Sequence, residues 1–134
     1  MKQKFKVFSD KLQNLSCSFC NKSFDNFDLS NLNSNDFVYC DPPYFGSIAT
    51  YNEQNGWTSL NEEKLLNILD MLNCRGIKWA LSNNLKYDNP LLDNWRKKYY
   101  TYYLNGDYSN CNYHKSDKSK DIEVLITNYY SNKI

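Results

Sequence analysis

The feature that most constrains this chain is a four-residue apolar run, residues 37–40, that closes on Asp41-Pro42-Pro43-Tyr44. A short apolar run followed by an acid and two prolines is typical of a buried parallel strand that ends in a rigid loop. In open α/β sheets, ligands bind at the carboxyl ends of such strands. We therefore predict a strand over residues 37–40 and a functional loop directly behind it.

The loop behind this strand is rich in hydrogen-bond acceptors. Proline has no N–H group, so Pro42 and Pro43 remove two backbone donors and leave the neighbouring carbonyl groups free to accept. Asp41 adds a carboxylate and Tyr44 an aromatic ring. This combination favours a site that accepts hydrogen bonds from a substrate amine beneath an aromatic side chain. The alternative is purely structural, with Asp41 as a turn cap and Tyr44 as a half-buried aromatic residue.

The residues that follow predict a βαβ unit. Ser59-Leu60-Asn61-Glu62 has the pattern of a capping box, and the helix that it opens should end at Arg75-Gly76. Between them, apolar residues recur at helical spacing, and we assign these to the core: Leu65, Ile68, Leu69 and Leu72. A second parallel strand is predicted over residues 77–81, after a right-handed crossover. Ser82 and Asn83, which follow that strand, should face the same rim as Asp41.

The hydrophobic pattern is less regular in the residues that precede the strand at 37–40. Residues 1–16 predict a short helix or an extended lead-in, residues 17–20 a strand, and the polar residues 21–36 a loop or a frayed helix. Residues 45–57 carry two glycines and few aliphatic side chains, which is typical of a functional loop.

On the carboxyl-terminal side, Asn89-Pro90 begins a helix of about two turns. Its apolar face is formed by Leu91, Leu92 and Trp95. Two more strands are predicted over residues 99–104 and 122–129, the second with Val124, Leu125 and Ile126 in the core. The fold class that follows is α/β, a partial Rossmann-like sheet of mixed type with an antiparallel terminal hairpin.

Length and charge limit the possible partners. The 134 residues fit one domain, residues 1–134. The chain has 16 Lys and Arg against 15 Asp and Glu, so any nucleic-acid contact must come from a local basic patch. We find neither an apolar run long enough for a membrane span nor a secretion signal, and we expect a cytoplasmic protein with no membrane partner.

Cysteine usage fits a reducing compartment. Five cysteines form an odd set without disulfide-framework spacing. Cys17 and Cys20 make a lone CxxC pair, and a zinc site would need about two more ligands at ordered spacing. The single histidine, His114, lies far along the chain beside Cys111. We predict no metal site and interpret the pair as small apolar residues on a strand.

Taken together, several segments resemble the Dam-type DNA adenine methyltransferases, the S-adenosylmethionine-dependent class that carries DPPY. They are FVYCDPPY at residues 37–44, Tyr51-x5-Trp57-Thr58, the strand end Leu81-Ser82-Asn83, and YSNCNYHKSDKSKDIEVLITNY at residues 108–129. Residues 7–14 and 20–24 also resemble the stretch that precedes DPPY in that family, so the likeness covers nearly the whole chain.

The resemblance implies methyl transfer from S-adenosylmethionine to the exocyclic amine of adenine in double-stranded DNA. The implied catalytic residues are Asp41, Pro42, Pro43 and Tyr44. Asp41 and the Pro42 carbonyl would accept hydrogen bonds from the amine and stabilise its developing positive charge. Tyr44 would stack on a base flipped out of the duplex. The implied cofactor contacts are Asp41 and Phe24, which matches an aromatic residue that packs on the cofactor's adenine.

The resemblance also implies two groups of DNA contacts. Tyr51, Asn52 and Trp57 match the loop that approaches the DNA and the flipped base. Three lysines match phosphate contacts beside the site, namely Lys115, Lys118 and Lys120. The alternatives are a loop packed by its own aromatic residues and a solvated run of charge.

Two parts of the family pattern do not occur in this sequence. The family has a Phe-x-Gly-x-Gly turn for the methionine end of the cofactor and a target-recognition domain, whereas the four glycines here, Gly46, Gly56, Gly76 and Gly106, lie far apart. We divide the chain into a lead-in, residues 1–36, and a catalytic half, residues 37–134. We expect an amino-terminal methyltransferase half on a separate chain and an open edge on the central strand. The alternatives are an inactive methyltransferase remnant and a non-catalytic nucleic-acid binding module.

Overall fold

A computed structural model describes residues 2–45, 56–104 and 122–133. Its helices and strands occur in this order: α1 (Lys2–Asn14), β1 (Phe37–Cys40), α2 (Ser59–Cys74), β2 (Lys78–Asn84), α3 (Pro90–Trp95), β3 (Tyr100–Tyr103) and β4 (Glu123–Thr127). Single 3-10 turns lie at Phe24–Asn26 and Arg96–Lys98. No helix in the described ranges has the length and apolar character needed to cross a membrane.

The four strands form one mixed sheet in the order β1-β2-β4-β3. β1 and β2 are parallel, with Cys40 beside Leu81, while β4 is antiparallel to both β2 and β3. This arrangement confirms the predicted α/β class with an antiparallel terminal hairpin. Because Cys40 and Leu81 are in register, the next residues along each strand, Asp41 and Ser82, lie side by side at the carboxyl end of the parallel pair.

Helix α2 makes the predicted crossover, but its capping differs by one residue. Thr58 is the N-cap, and its side chain accepts a hydrogen bond from the Asn61 N–H at 3.2 Å while the Asn61 side chain accepts from the Thr58 N–H. The predicted box from Ser59 to Glu62 is therefore wrong, because Asn61 occupies the third helical position. The helix closes at Arg75-Gly76 as predicted: Arg75 is the C-cap, and Gly76 after it has a φ of 72°, which glycine readily adopts.

Apolar side chains from α2 and α3 pack on one face of the sheet. Leu65, Leu69 and Leu72 are buried as predicted, whereas Ile68 is only partly buried. The rest of the buried cluster comprises Leu66, Ile77, Trp79, Leu81, Leu92, Trp95, Val124 and Ile126. Two predicted core residues differ. Leu91 is exposed on α3, and Leu125 is half-buried because it points to the opposite face of β4 from Val124 and Ile126.

The strand predicted at residues 17–20 is wrong. This segment has no regular secondary structure, and Cys17, Phe19 and Cys20 are all exposed. No strand in the described part of the chain pairs with it, so its backbone lacks the ladder that a strand requires. Helix α1 is present as predicted but lies outside the core, with Phe5 and Phe8 exposed.

Strand β1 lies where it was predicted, but it is not fully buried. Phe37 is 54% exposed and Tyr39 is 58% exposed, and these alternate with the half-buried Val38 and Cys40. The reason is its position, since β1 pairs only with β2 among the described strands and is an edge of their sheet. An open edge was expected here, and the presence of a further strand that covers it stays a prediction.

Candidate active site

Asp41 begins the loop at the carboxyl end of β1, and its carboxylate is held by Ser82. The Ser82 hydroxyl donates to Asp41 Oδ1 at 2.6 Å and lies 3.3 Å from the Cys40 carbonyl oxygen. A hydroxyl has one proton, so the shorter contact to the carboxylate takes it. Asp41 remains exposed at the rim, which leaves its second oxygen open to a ligand.

A pocket of about 490 Å³ opens beside Asp41. Its lining is mostly apolar and aromatic: Phe24, Phe27, Leu29, Val38, Tyr39, Cys40, Pro42, Pro43, Trp57, Leu65, Ile68 and Leu72. Among the described lining residues, Asp41 is the one charged group. Pockets of about 300–1,000 Å³ with apolar walls and few polar groups are typical of small-molecule sites. The pocket therefore suits a flat apolar ring system with a polar group at its rim.

One wall of the pocket is a pair of aromatic rings. The Phe24 and Trp57 ring centroids lie 5.3 Å apart with planes inclined by 42°, which is a favourable geometry for aromatic contact. The Trp57 indole Nε1 donates to Glu62 Oε2, and Glu62 Oε1 accepts from Asn89 Nδ2 at 2.9 Å. Glu62 is only 1% exposed. A buried side chain thus accepts a hydrogen bond from the indole of the pocket wall.

The segment that carries Phe24, which we call the wall segment (residues 24–32), is tied to helix α2 at two points. Lys64 forms an ion pair with Asp25 at 2.9 Å. The guanidinium of Arg75 donates to three backbone carbonyl oxygens, those of Leu29 at 2.8 Å, Ser30 at 2.9 Å and Leu32 at 2.7 Å. These contacts hold an irregular segment against the helix, so the pocket wall does not depend on regular secondary structure.

Cys40 contributes its thiol to the pocket between Tyr39 and Asp41. Burial raises the pKa of the Cys40 thiol above its ordinary value of 9.0, because a thiolate is poorly solvated there. The thiol is therefore neutral at pH 7, and Cys40 serves as a small apolar lining residue. No set of three His, Cys, Asp or Glu residues that could hold a metal ion occurs within residues 2–45, 56–104 and 122–133.

The structure brings together five residues named from the sequence. Asp41, Pro42, Pro43, Phe24 and Trp57 all line the same pocket. Trp57 was predicted as a DNA contact, and its observed place is in the pocket wall against Phe24, so contact with DNA stays a prediction.

Tyr44 is half-buried after the two prolines. The other predicted DNA contacts lie outside the described residues, namely Tyr51, Asn52, Lys115, Lys118 and Lys120.

Two residues of the site have contacts that we did not predict from the sequence. Glu62 was assigned to a helix cap, although it is three to four residues from Leu65 and Leu66 and thus shares their buried helix face. Ser82 was predicted at the rim, but its contact with Asp41 depends on the register of the two strands. Helical spacing would have found the first, whereas strand pairing was needed for the second.

The comparison with protein families agrees with this geometry. A sequence model of the D12 class N6 adenine-specific DNA methyltransferases matches residues 1–132. The chain belongs to this class. Membership confirms the resemblance drawn from FVYCDPPY and its flanking segments, because the match spans all four strands of the observed sheet.

Two curated relatives of this D12 class chain show the same likeness. The type II methyltransferase M.FokI of Planomicrobium okeanokoites is 42% identical over 136 residues, covering 96% of this chain and 21% of its own length. The modification methylase StsI of Streptococcus sanguinis is 43% identical over 133 residues, covering 91% of this chain and 20% of its own length. The chain therefore spans about a fifth of the length of these relatives.

The described residues fit part of the methyl donor that methyltransferases generally use, S-adenosylmethionine. The aromatic wall of Phe24 and Trp57 suits the adenine ring, and Asp41 stands at the rim where a polar group would lie. The described lining holds no cationic side chain that would pair with the donor's carboxylate. The described lining thus fits the adenine ring of that cofactor and provides no partner for its carboxylate.

Proposed function

We propose that this chain carries the methyl-transfer site of a DNA adenine methyltransferase, with adenine in double-stranded DNA as the acceptor. One observation carries the proposal. The Asp41 carboxylate, fixed through one oxygen by Ser82, stands at the rim of an aromatic-walled pocket directly before Pro42 and Pro43. This places an acceptor of amine hydrogen bonds next to a site suited to the methyl donor's adenine ring.

The acceptor groups compensate for the weak nucleophilicity of the substrate amine. The lone pair of adenine's exocyclic amine is delocalised into the ring, so the amine is a weak nucleophile. In the proposed reaction, Asp41 and the Pro42 carbonyl accept hydrogen bonds from the two N–H groups of the amine. These bonds localise the lone pair on nitrogen. They also stabilise the positive charge that develops on nitrogen as the new N–C bond forms, a contribution typical of preorganised electrostatic groups. The methyl–sulfur bond of the donor would break in the same step and leave a neutral thioether, and the methylated nitrogen would then lose one proton to water.

The other catalytic residues bind and orient. Pro43 continues the rigid loop, and Tyr44 stacks on the adenine after it leaves the duplex, which replaces part of the lost base stacking. S-adenosylmethionine supplies the methyl group as a sulfonium when it is bound. Phe24 and Trp57, which line the pocket together, would hold its adenine ring, and Asp41 at the rim would accept from the reacting amine.

We assign the DNA contacts to residues on both sides of the site. Tyr51 and Asn52 contact the flipped base and its neighbours, while Lys115, Lys118 and Lys120 bind phosphates. Phosphate contacts by lysine give affinity without sequence preference and weaken as salt rises. StsI carries the name modification methylase, and we propose the same restriction-modification role here.

We also propose that catalysis requires an amino-terminal methyltransferase half on a separate chain. Three observations support it. In the described residues, β1 has an open edge, Phe37 and Tyr39 beside it are exposed, and the pocket lining carries no cation for the donor's carboxylate. A second polypeptide that adds a strand along β1 would cover this edge and the two exposed aromatic side chains. It could also supply the cation that pairs with the donor's carboxylate.

The test is transfer of a tritiated methyl group from S-adenosylmethionine to adenine-containing duplex DNA. It is run with this chain alone, with a candidate amino-terminal half alone, and with the two mixed. Transfer by the mixture alone is the expected result. Efficient transfer by this chain alone would contradict the need for a partner, and no transfer in any arm would favour an inactive remnant.

A further inference from the structure

Glu62 is the one acidic residue that is buried among the described residues, at 1% exposure. It lies on the face of α2 that carries Leu65, Leu66 and Leu69. A carboxylate in such surroundings is unfavourable unless hydrogen bonds compensate for the lost water. The packing of the core therefore does not explain why an acid stands at this position.

The contacts of Glu62 point towards the pocket. Within the described residues, the two donors that reach it are both neutral, Trp57 Nε1 and Asn89 Nδ2. The first donor belongs to the wall of the pocket beside Phe24. The second belongs to the side chain that caps α3, where Asn89 Oδ1 accepts from the Leu92 N–H at 3.1 Å. The carboxylate thus joins a pocket residue to the start of a helix in the core.

We infer that Glu62 is a positioning residue that holds the Trp57 indole in the pocket wall and thereby sets the affinity of the pocket for an adenine ring. An indole fixed at its N–H has one orientation, so its face is presented to a planar ligand without loss of side-chain freedom on binding. The affinity part rests on the proposed function, while the contact between Glu62 and Trp57 does not.

The first experiment observes the indole N–H signals of the full 134-residue chain by nitrogen-15 NMR. Trp57→Phe identifies the Trp57 signal. In Glu62→Leu, we expect this signal to lose its downfield position and its slow exchange with water. The Trp95 indole, which donates to Asp70 at 2.9 Å, is the internal control and should not change. An unchanged Trp57 signal would overturn the inference.

The second experiment titrates adenosine into the same chain and follows the Trp57 signal. We expect Glu62→Leu to raise the apparent Kd by up to about tenfold, the effect of having to order one side chain on binding. A double-mutant cycle of Glu62 and Trp57 separates positioning of the indole from general destabilisation of the fold. With Trp57 replaced by phenylalanine, and binding followed by the shifts of other pocket residues, Glu62→Leu should change the Kd by less than about twofold. A tenfold change that persists in that background would contradict the inference.

Two further outcomes are informative. If Glu62→Leu does not fold, Glu62→Gln carries the test, because glutamine keeps one acceptor for Trp57 and should retain most of its downfield shift and affinity. Loss of both in a folded Glu62→Gln protein with an unchanged Trp95 signal would contradict an acceptor role. If the wild-type chain does not bind adenosine, the proposed cofactor pocket and the affinity part both fail, and the NMR comparison still decides whether Glu62 holds Trp57.

Discussion

At the scale of single residues, the contact between Ser82 and Asp41 decides how the site would work. Free to rotate, a carboxylate at a loop start would present either oxygen to solvent. The 2.6 Å hydrogen bond fixes one oxygen and leaves the other at the exposed rim of the pocket. Such preorganisation lowers the reorganisation required when charge develops in the transition state.

Replacement of Ser82 tests this directly. In the enzyme reconstituted with its amino-terminal half, we expect Ser82→Ala to lower kcat about tenfold, the effect of losing one hydrogen bond to a charged group, with little change in KM for DNA. Ser82→Thr keeps the hydroxyl and is the matched control, with activity near wild type. Steady-state kinetics measure both, and a kcat for Ser82→Ala equal to that of the wild type would contradict the role of this contact.

Cys40 offers a test of the pocket that does not depend on activity. Because the thiolate is the reactive form and burial raises the pKa of Cys40, iodoacetamide at pH 7.5 should modify it more slowly than the exposed Cys17, Cys20 and Cys74. Saturating adenosine should slow Cys40 further and leave the other three unchanged. Mass spectrometry of peptides over time gives the rates, and equal slowing of all four would argue against binding in this pocket.

Sequence reasoning worked unevenly at this scale. Asp41 could be located because an apolar run, an acid and two prolines specify a strand end with few alternatives. The role of Glu62 was missed because Ser59 and Glu62 also fit a capping box one residue out of register, although helical spacing from Leu65 and Leu66 puts Glu62 on the buried face.

At the scale of elements, helix α2 organises the site. It contributes Leu65, Ile68 and Leu72 to the pocket, and its carboxyl-terminal Arg75 holds the wall segment through three carbonyl oxygens. An irregular segment lacks a ladder of its own, so these bonds define its path.

Arg75→Ala should therefore loosen the wall segment. We expect a loss of about 1 kcal/mol in the free energy of unfolding, because an exposed guanidinium bond to a carbonyl is partly replaced by water. Lys64→Ala removes the ion pair with Asp25, an exposed contact that contributes little to stability, and is the control with the smaller effect. Urea unfolding compares them, and an equal or smaller loss for Arg75→Ala would contradict its part in holding the segment.

Asp70 on α2 contacts the end of α3 and the residues that follow it, and these contacts predict that the stability of the fold depends on pH. Asp70 accepts from Trp95 at 2.9 Å, Lys98 at 2.6 Å and Tyr99 at 2.5 Å. Burial alone would raise the pKa of Asp70, but the bonds from Lys98 and Tyr99 and the lysine charge outweigh it and lower the pKa below 3.8. The stabilisation is therefore present above about pH 4 and is lost as the pH falls through the lowered pKa.

Asp70→Asn should be less stable than wild type at pH 6 by about 1 kcal/mol, since asparagine accepts from Trp95 or Tyr99 but cannot pair with the Lys98 charge. The difference should shrink towards zero as the pH falls from 4 to 2. Thermal or urea unfolding across this range measures it. A difference that stays constant with pH would show that the carboxylate's charge contributes nothing.

Element positions were more predictable than their surroundings. The apolar run at residues 37–40 predicted β1 correctly, yet the exposure of Phe37 and Tyr39 depends on how many strands flank it, which a local pattern does not contain. The same limit explains residues 17–20, where an apolar pattern occurs without a neighbouring strand to complete a ladder. Helical spacing, by contrast, is local and predicted α2, although the cap of α2 was misplaced by one residue, and Asn89-Pro90 predicted the start of α3.

At the scale of the whole molecule, the α2 face of the sheet and its β1 edge differ in how they are covered. Its α2 face is filled by a continuous core, while the β1 edge and the exposed Phe37 and Tyr39 remain open in the described residues. Edges of this kind are usually covered by another element. The chain spans about a fifth of the length of M.FokI and StsI, and we propose that an amino-terminal half completes both the sheet and the cofactor site.

The central claim is that methyl transfer takes place at Asp41. The measurement that tests it most directly is tritiated methyl transfer to duplex DNA by the reconstituted enzyme, with Asp41→Ala and Asp41→Asn compared with the wild type. Size-exclusion chromatography confirms that each variant assembles. We predict N6-methyladenine as the product and a loss of about a hundredfold or more in both variants, with assembly intact. Activity near that of the wild type in Asp41→Ala would contradict the account.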